Sequence, residues 1–192
     1  AGGGKSLALL MAALQYVHVP GYNALLLRRT FPDLWQPKGL IPLSKEWLTG
    51  KGPRWTAHNQ WVFPSGAVLQ FGYLQSEDDK YRYQGSEYQS ISFDELTEFT
   101  ESQYRYLFSR LRKPNSLDVP LRMRSASNPG GVGHDWVRQR FLDGGREEGR
   151  VFLPAKLRDN PHLDQLEYTR AMMNLDPVTR RQLLEGDWSA RQ

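Results

Sequence analysis

The chain has 192 residues, 39% of them hydrophobic and 24% charged, a balance that suits one sizeable folded core and excludes a disordered chain. Cysteine is absent, which removes disulfides, thiolate metal sites and a cysteine nucleophile, and no apolar run approaches the ~18 residues of a membrane span. Net charge is +4, and 18 of the 25 basic residues are arginine, the side chain suited to bidentate phosphate contacts, although a GC-rich genome produces the same bias.

Residues 1–6 read as a glycine-rich loop, not a leader, and open into an apolar helix over 5–17 that stops before Pro20-Gly21. The run ALLLRR at 24–29 is a short buried strand, followed by a broken helical pattern over 32–48. Residues 60–74 read as a hairpin turning at Pro64-Ser65-Gly66, after which Ser76 caps a short acidic turn. A strand is expected at 89–94, a helix at 102–112, and a strand at 121–127 that ends in Asn128-Pro129-Gly130-Gly131. Beyond it come a helix at 134–142, a strand at 151–155, and two helices within 163–184 divided near Asp176-Pro177. Strands separated by helical segments indicate an α/β fold, a mainly parallel sheet flanked by helices with a β-hairpin insertion.

Three segments carry chemistry. Gly2-Gly3-Gly4-Lys5-Ser6 matches the end of G-x-x-x-x-G-K-[ST]. Glycines let backbone N–H groups curl around phosphates, the helix N-terminus adds a favourable dipole, Lys5 would neutralise phosphate charge and Ser6 would ligate Mg²⁺. A flexible linker entering an apolar helix has the same letters, and the motif's first glycine and its leading strand would fall before Ala1. Ser90-Ile91-Ser92-Phe93-Asp94-Glu95 is an apolar strand ending in two acids, so that Asp94 could reach the Mg²⁺ shell and Glu95 could orient and deprotonate water. Read blandly, it is a strand followed by a charged helix start. Ser125-Ala126-Ser127-Asn128-Pro129-Gly130-Gly131 places small polar groups at a strand's end, where they could touch the γ-phosphate; Asn-Pro-Gly is equally an ordinary turn.

Charge is uneven. From residue 103 to 140, Arg105, Arg110, Arg112, Lys113, Arg122, Arg124, Arg138 and Arg140 stand against Asp118 and Asp135, which suits either a DNA-facing surface or a solvated face. The histidines at 18, 58, 134 and 162 have no metal-ligand spacing.

In order, GGGKS, LLLRRTFPDL, YRYQGSEYQSISFDELTEF, SASNPGG and the closing LLEGDW resemble the large terminase subunit of tailed phages over nearly the whole chain. The resemblance implies a P-loop NTPase of ASCE type with a small helical C-terminal lid, an ATPase core over 1–160 lacking its N-terminal strand, and a lid or linker over 161–192 leading to an absent nuclease domain. It implies ATP and Mg²⁺ as cofactors, with Gly2, Gly3, Gly4, Lys5 and Ser6 in Walker A, Asp94 as the metal-binding acid, Glu95 as the catalytic carboxylate, and Ser127 and Asn128 in the coupling motif. The implied partners are double-stranded DNA, portal protein, the small terminase subunit and copies of itself in a ring, commonly a pentamer, working in the host cytoplasm. The family's arginine finger often sits just before the glycine matching Gly85; here Gln84 stands there, and Arg82 is the nearest candidate. No nuclease activity is expected of this chain. The alternatives are another ASCE nucleic-acid translocase or helicase, and a non-catalytic DNA- or portal-binding fragment.

Overall fold

The computed structural model describes residues 4–191, which fall into two compact units. Of the described residues, one is built from Ser6–Glu95 and Ser102–Ala126, the other from Leu96–Glu101 and residues 127–191, together with Gly4 and Lys5.

The first unit holds a six-stranded sheet. The first helix, α1 (Lys5–Ala13), is rich in alanine and leucine and buries Leu9, Leu10 and Ala13. Strand β1 (Asn23–Arg28) follows; its four inner residues are all buried, as expected for a strand covered on both faces. The broken helical pattern resolves into α2 (Phe31–Trp35) and α3 (Leu40–Leu48). A capping box starts α2, with Thr30 Oγ1 accepting from the Asp33 N–H and Asp33 accepting from the Thr30 N–H.

The hairpin is present as β3 (Gln60–Val62) and β4 (Val68–Tyr73), and β2 (Arg54–Thr56) extends it by a strand too short and polar to read from sequence. Gly66 closes the turn at φ +89°, where a side chain would be strained. The Trp61 indole N–H finds the buried Ser44 hydroxyl at 2.9 Å, so the ring can enter the core without an orphaned donor.

After a 3₁₀ turn at Glu77–Tyr83 come β5 (Ser90–Phe93), α4 (Glu101–Phe108) and β6 (Arg122–Ser125). The strand order is β2-β3-β4-β1-β5-β6, with β4, β1, β5 and β6 parallel. The expected helix at 102–112 ends at Phe108 because the chain beyond it pairs with Tyr88: the Tyr88 N–H donates to the Arg110 carbonyl and the Arg112 N–H to the Tyr88 carbonyl, each at 3.0 Å. All four residues of β5 are buried and paired with a strand on either side.

The second unit contains α5 (His134–Arg138), which continues as a π turn over Gln139–Asp143, then α6 (Gln165–Met172) and α7 (Pro177–Glu185). Asp164 and Asp176 cap α6 and α7 by accepting the N–H groups of Glu167 and Thr179, and Gly186 ends α7 in the left-handed conformation. The strand expected at 151–155 does not form. Its residues pair with no other strand among the described residues, leaving Val151 and Leu153 72% and 81% exposed. An apolar run gains strand structure only from a neighbour that satisfies its backbone. No helix among the described residues is long and apolar enough to cross a membrane.

Candidate functional site

In a parallel sheet the carboxyl ends of the strands are where ligands gather. In the sheet unit, β5 delivers Asp94 to that edge, anchored by its N–H donating to the Leu27 carbonyl at 2.9 Å. The Ser6 hydroxyl lies 2.9 and 3.0 Å from the two Asp94 oxygens, and the Arg28 guanidinium reaches Oδ2 at 3.4 Å. Asp94 is buried. Burial pushes its carboxyl above the usual range, with the neighbouring charge of Glu95 adding to the rise and Arg28 and Ser6 opposing it. A hydroxyl and a guanidinium thus both contact the buried carboxylate.

Glu95 follows in the left-handed region at φ +55°. For a residue other than glycine this costs on the order of 1 kcal/mol. The turn breaks the alternation that would send Asp94 and Glu95 to opposite faces of a continuing strand. Gly4, at φ +70° with open space where a Cβ would sit, is the member of the glycine run that the structure describes; Gly2 and Gly3 lie outside the described residues.

Within the other unit, Lys5 Nζ donates to Asn128 Oδ1 at 2.8 Å. The Ser127 hydroxyl accepts from the Thr97 N–H at 3.3 Å and donates to the Asn128 carbonyl at 3.1 Å; the Thr97 hydroxyl donates to the same carbonyl, also at 3.1 Å. The Gly133 N–H donates to the Thr97 carbonyl at 2.7 Å, and a Cβ on Gly131 would come within 2.8 Å of that oxygen. The chain from Ser127 to Gly133 is thus stitched to the turn that follows Glu95 in sequence. Its far end is held by His134. The Gly130 N–H donates to Nδ1 at 2.8 Å, so the proton sits on Nε2, which donates to the Trp188 carbonyl at 3.1 Å.

Arg82 stands apart from these contacts. It pairs with Asp79 at 2.9 Å and lies over the Tyr73 ring at 4.3 Å. Three participants escaped sequence reading: Arg28, Thr97 and His134. For Arg28 the signal was a cation closing an otherwise apolar run; the other two carried none.

Over residues 1–192 the chain matches the family model described as terminase large subunit, T4likevirus-type, N-terminal. It belongs to that family. No curated protein matches it. Among solved structures, the large terminase of a thermophilic bacteriophage superposes with a TM-score of 0.78 at 20% identity, covering 97% of this chain and 46% of that one. The same phage protein in complex with ADP gives 0.74 at 21% identity, covering 97% and 46%. In complex with ATP-gamma-S it gives 0.76 at 19% identity, covering 97% and 45%. At these identities the likeness speaks for the fold alone. This terminase domain spans a little under half the length of the phage chains it matches.

Proposed function

We propose that this terminase domain binds Mg–ATP and hydrolyses it to drive double-stranded DNA into a phage capsid. The observation that carries the proposal is the convergence of Ser6, from the lysine-serine end of the glycine loop, on buried Asp94 at the end of β5. An aspartate and a hydroxyl form a hard, all-oxygen donor pair, which suits Mg²⁺ held jointly by protein and substrate phosphates. Among the described residues no group of three or more acidic or histidine side chains could hold a metal unaided. Mg²⁺, when bound, would offset charge on the phosphates. The thermophilic phage's large terminase in complex with ADP and with ATP-gamma-S supports a nucleotide as ligand.

Each residue then has a task. Gly2, Gly3 and Gly4 curl the backbone around phosphate, and Lys5 exchanges its Asn128 partner for phosphate oxygens. Glu95 takes a proton from water as the water attacks the γ-phosphorus in line and ADP leaves. Asn128, released by Lys5, reports that exchange to the Ser127–Thr97 junction and so couples hydrolysis to movement. Arg82 serves a neighbouring subunit's site. Residues 161–192 form the lid or linker toward a nuclease domain. The assembled motor is a ring, a pentamer, on the portal protein, served by the small subunit in the host cytoplasm.

Isothermal titration with Mg–ATP-gamma-S tests nucleotide binding. Lys5→Ala should weaken it ~10- to 100-fold, the effect of losing hydrogen bonds from a charged donor. Unchanged affinity in that variant would reject the phosphate loop.

The same proposal requires a grip on DNA that ignores sequence. In the sheet unit Arg112 and Arg122 flank Gln89, whose side chain donates to the Arg112 carbonyl and whose carbonyl accepts the Arg122 N–H. Together with Lys113 they place basic side chains at the amino ends of β5 and β6, the opposite end of the sheet from Asp94. Arg138 belongs to the other unit and is tied to Asp143 and the Trp188 carbonyl. Duplex affinity should fall with salt at a slope of roughly −0.9 per phosphate neutralised, and Arg112→Ala with Lys113→Ala should each flatten it by about 1. Anisotropy across a salt series reads both; a slope that the substitutions leave unchanged would place the DNA elsewhere.

A further inference from the structure

We propose that Arg28 is a phosphate-contacting arginine supplied by the same chain as the nucleotide loop, reaching the terminal phosphate once Asp94 turns to the metal. This deepens the Mg–ATP reading and rests on it.

Arg28 is the last residue of β1, and β1 lies directly beside β5 in parallel register, with Leu27 opposite Phe93. It therefore ends at the same carboxyl edge as Asp94. Its side chain is only 16% exposed. A guanidinium has five N–H donors, and one buried in a fold is normally satisfied by a bidentate carboxylate or by several carbonyls. Arg28 has neither. Its contact to Asp94 is a single one of 3.4 Å, beyond the usual range of roughly 2.7–3.2 Å, and its buried Nε has no hydrogen-bond partner. The adjacent Arg29 behaves as a structural arginine does, donating to the Leu74 carbonyl at the end of the neighbouring strand.

The partner of Arg28 is also committed elsewhere. Both Asp94 oxygens receive the Ser6 hydroxyl, and with nucleotide bound that pair would hold the metal. A cation that loses the charge of Asp94 to a competing cation needs new acceptor oxygens close by. Of the groups brought to this edge, the terminal phosphate supplies them in the multi-oxygen form that arginine recognises best. In the absence of nucleotide Arg28 steadies Asp94; with nucleotide bound it reads whether a third phosphate is present.

Discrimination between nucleotides tests this. Affinities for Mg–ATP-gamma-S and Mg–ADP are measured by titration calorimetry on wild type, Arg28→Gln and Arg28→Lys, with Lys5→Ala alongside. Arg28→Gln should weaken ATP-gamma-S about tenfold or more while changing ADP less than about threefold, the differential expected of hydrogen bonds from a charged donor to one phosphate. Arg28→Lys, which keeps a cation beside Asp94 and so protects the fold, should show the same selective loss to a smaller degree. Equal losses for the two nucleotides would make Arg28 a holder of Asp94 only and overturn the proposal, as would no loss for either. If wild type binds neither nucleotide, the Mg–ATP reading fails and this proposal fails with it. Binding that depends on Lys5 but is indifferent to Arg28 rejects this proposal alone.

Discussion

Glu95→Gln should bind Mg–ATP as wild type does and hydrolyse it ~10²- to 10⁴-fold more slowly, the usual loss when a general base is removed. Glutamine keeps the size of the side chain and the hydrogen-bonding oxygen but cannot take a proton. The backbone at 95 makes the expectation sharper. A left-handed glutamate at φ +55° is held against its own preference, and such strain persists where the surrounding structure over-determines it. Here the next residues are fixed in a 3₁₀ turn whose Thr97 is bonded on both sides, through its N–H to Ser127 and through its carbonyl to the Gly133 N–H. Glu95→Gly should therefore abolish hydrolysis and yet leave thermal stability unchanged or raised, because glycine adopts this φ without penalty. Phosphate release under saturating ATP, with binding measured separately, reads the first variant, and a thermal melt reads the second. A Glu95→Gln rate within about twofold of wild type, against the expected general-base loss, would mean that another group orients the water.

How much of this was open to sequence reading depends on how local each signal is. The body of β5 is an uninterrupted buried run, and the acids that end it are adjacent to it, so strand and candidate site residues could be read together. The glycine loop entering α1 is equally local. The hairpin was visible because its turn chemistry and its strands lie within a few residues of one another. Arg28 and Asp94, by contrast, are 66 positions apart, and only the parallel register of β1 with β5 makes them neighbours. The same holds for Lys5 with Asn128, 123 positions apart. The failure at 151–155 has the opposite origin: the local signal was good, but a strand is a property of two chains of backbone, and the described residues provide one. The left-handed turn at Glu95 could not be anticipated, since a glutamate gives no hint of positive φ.

Arg82→Ala should leave Mg–ATP affinity intact and lower turnover of the assembled ring by ~10³-fold, the effect of losing an arginine finger. Tyr73, on which Arg82 lies, ends β4 and is paired with Arg28 on β1. Arg82 thus sits at the same carboxyl edge as Asp94, with β1 between their strands, so the offset is about two strand spacings, roughly 10 Å. Its ion pair and its ring contact are made with Asp79 and Tyr73, and its side chain is 45% exposed, the disposition of a group offered outward. The Asp79 carboxyl is lowered to about 2, chiefly by hydrogen bonding to the Ser76 backbone and further by Arg82. A lowered carboxyl stabilises the fold above its ordinary range and loses that contribution only as pH falls toward about 2. Asp79 therefore stays ionised over any working pH, and a partly exposed pair of this kind is weak enough for Arg82 to exchange it for another anion. Complementation decides the matter. Arg82→Ala subunits keep Glu95, and Glu95→Gln subunits keep Arg82. In a ring mixed from both, a wild-type Glu95 site can be served by a neighbour's intact Arg82, and activity should reappear with a maximum at intermediate ratios. Absence of recovery at every ratio would exclude Arg82 as a residue acting on a neighbouring subunit.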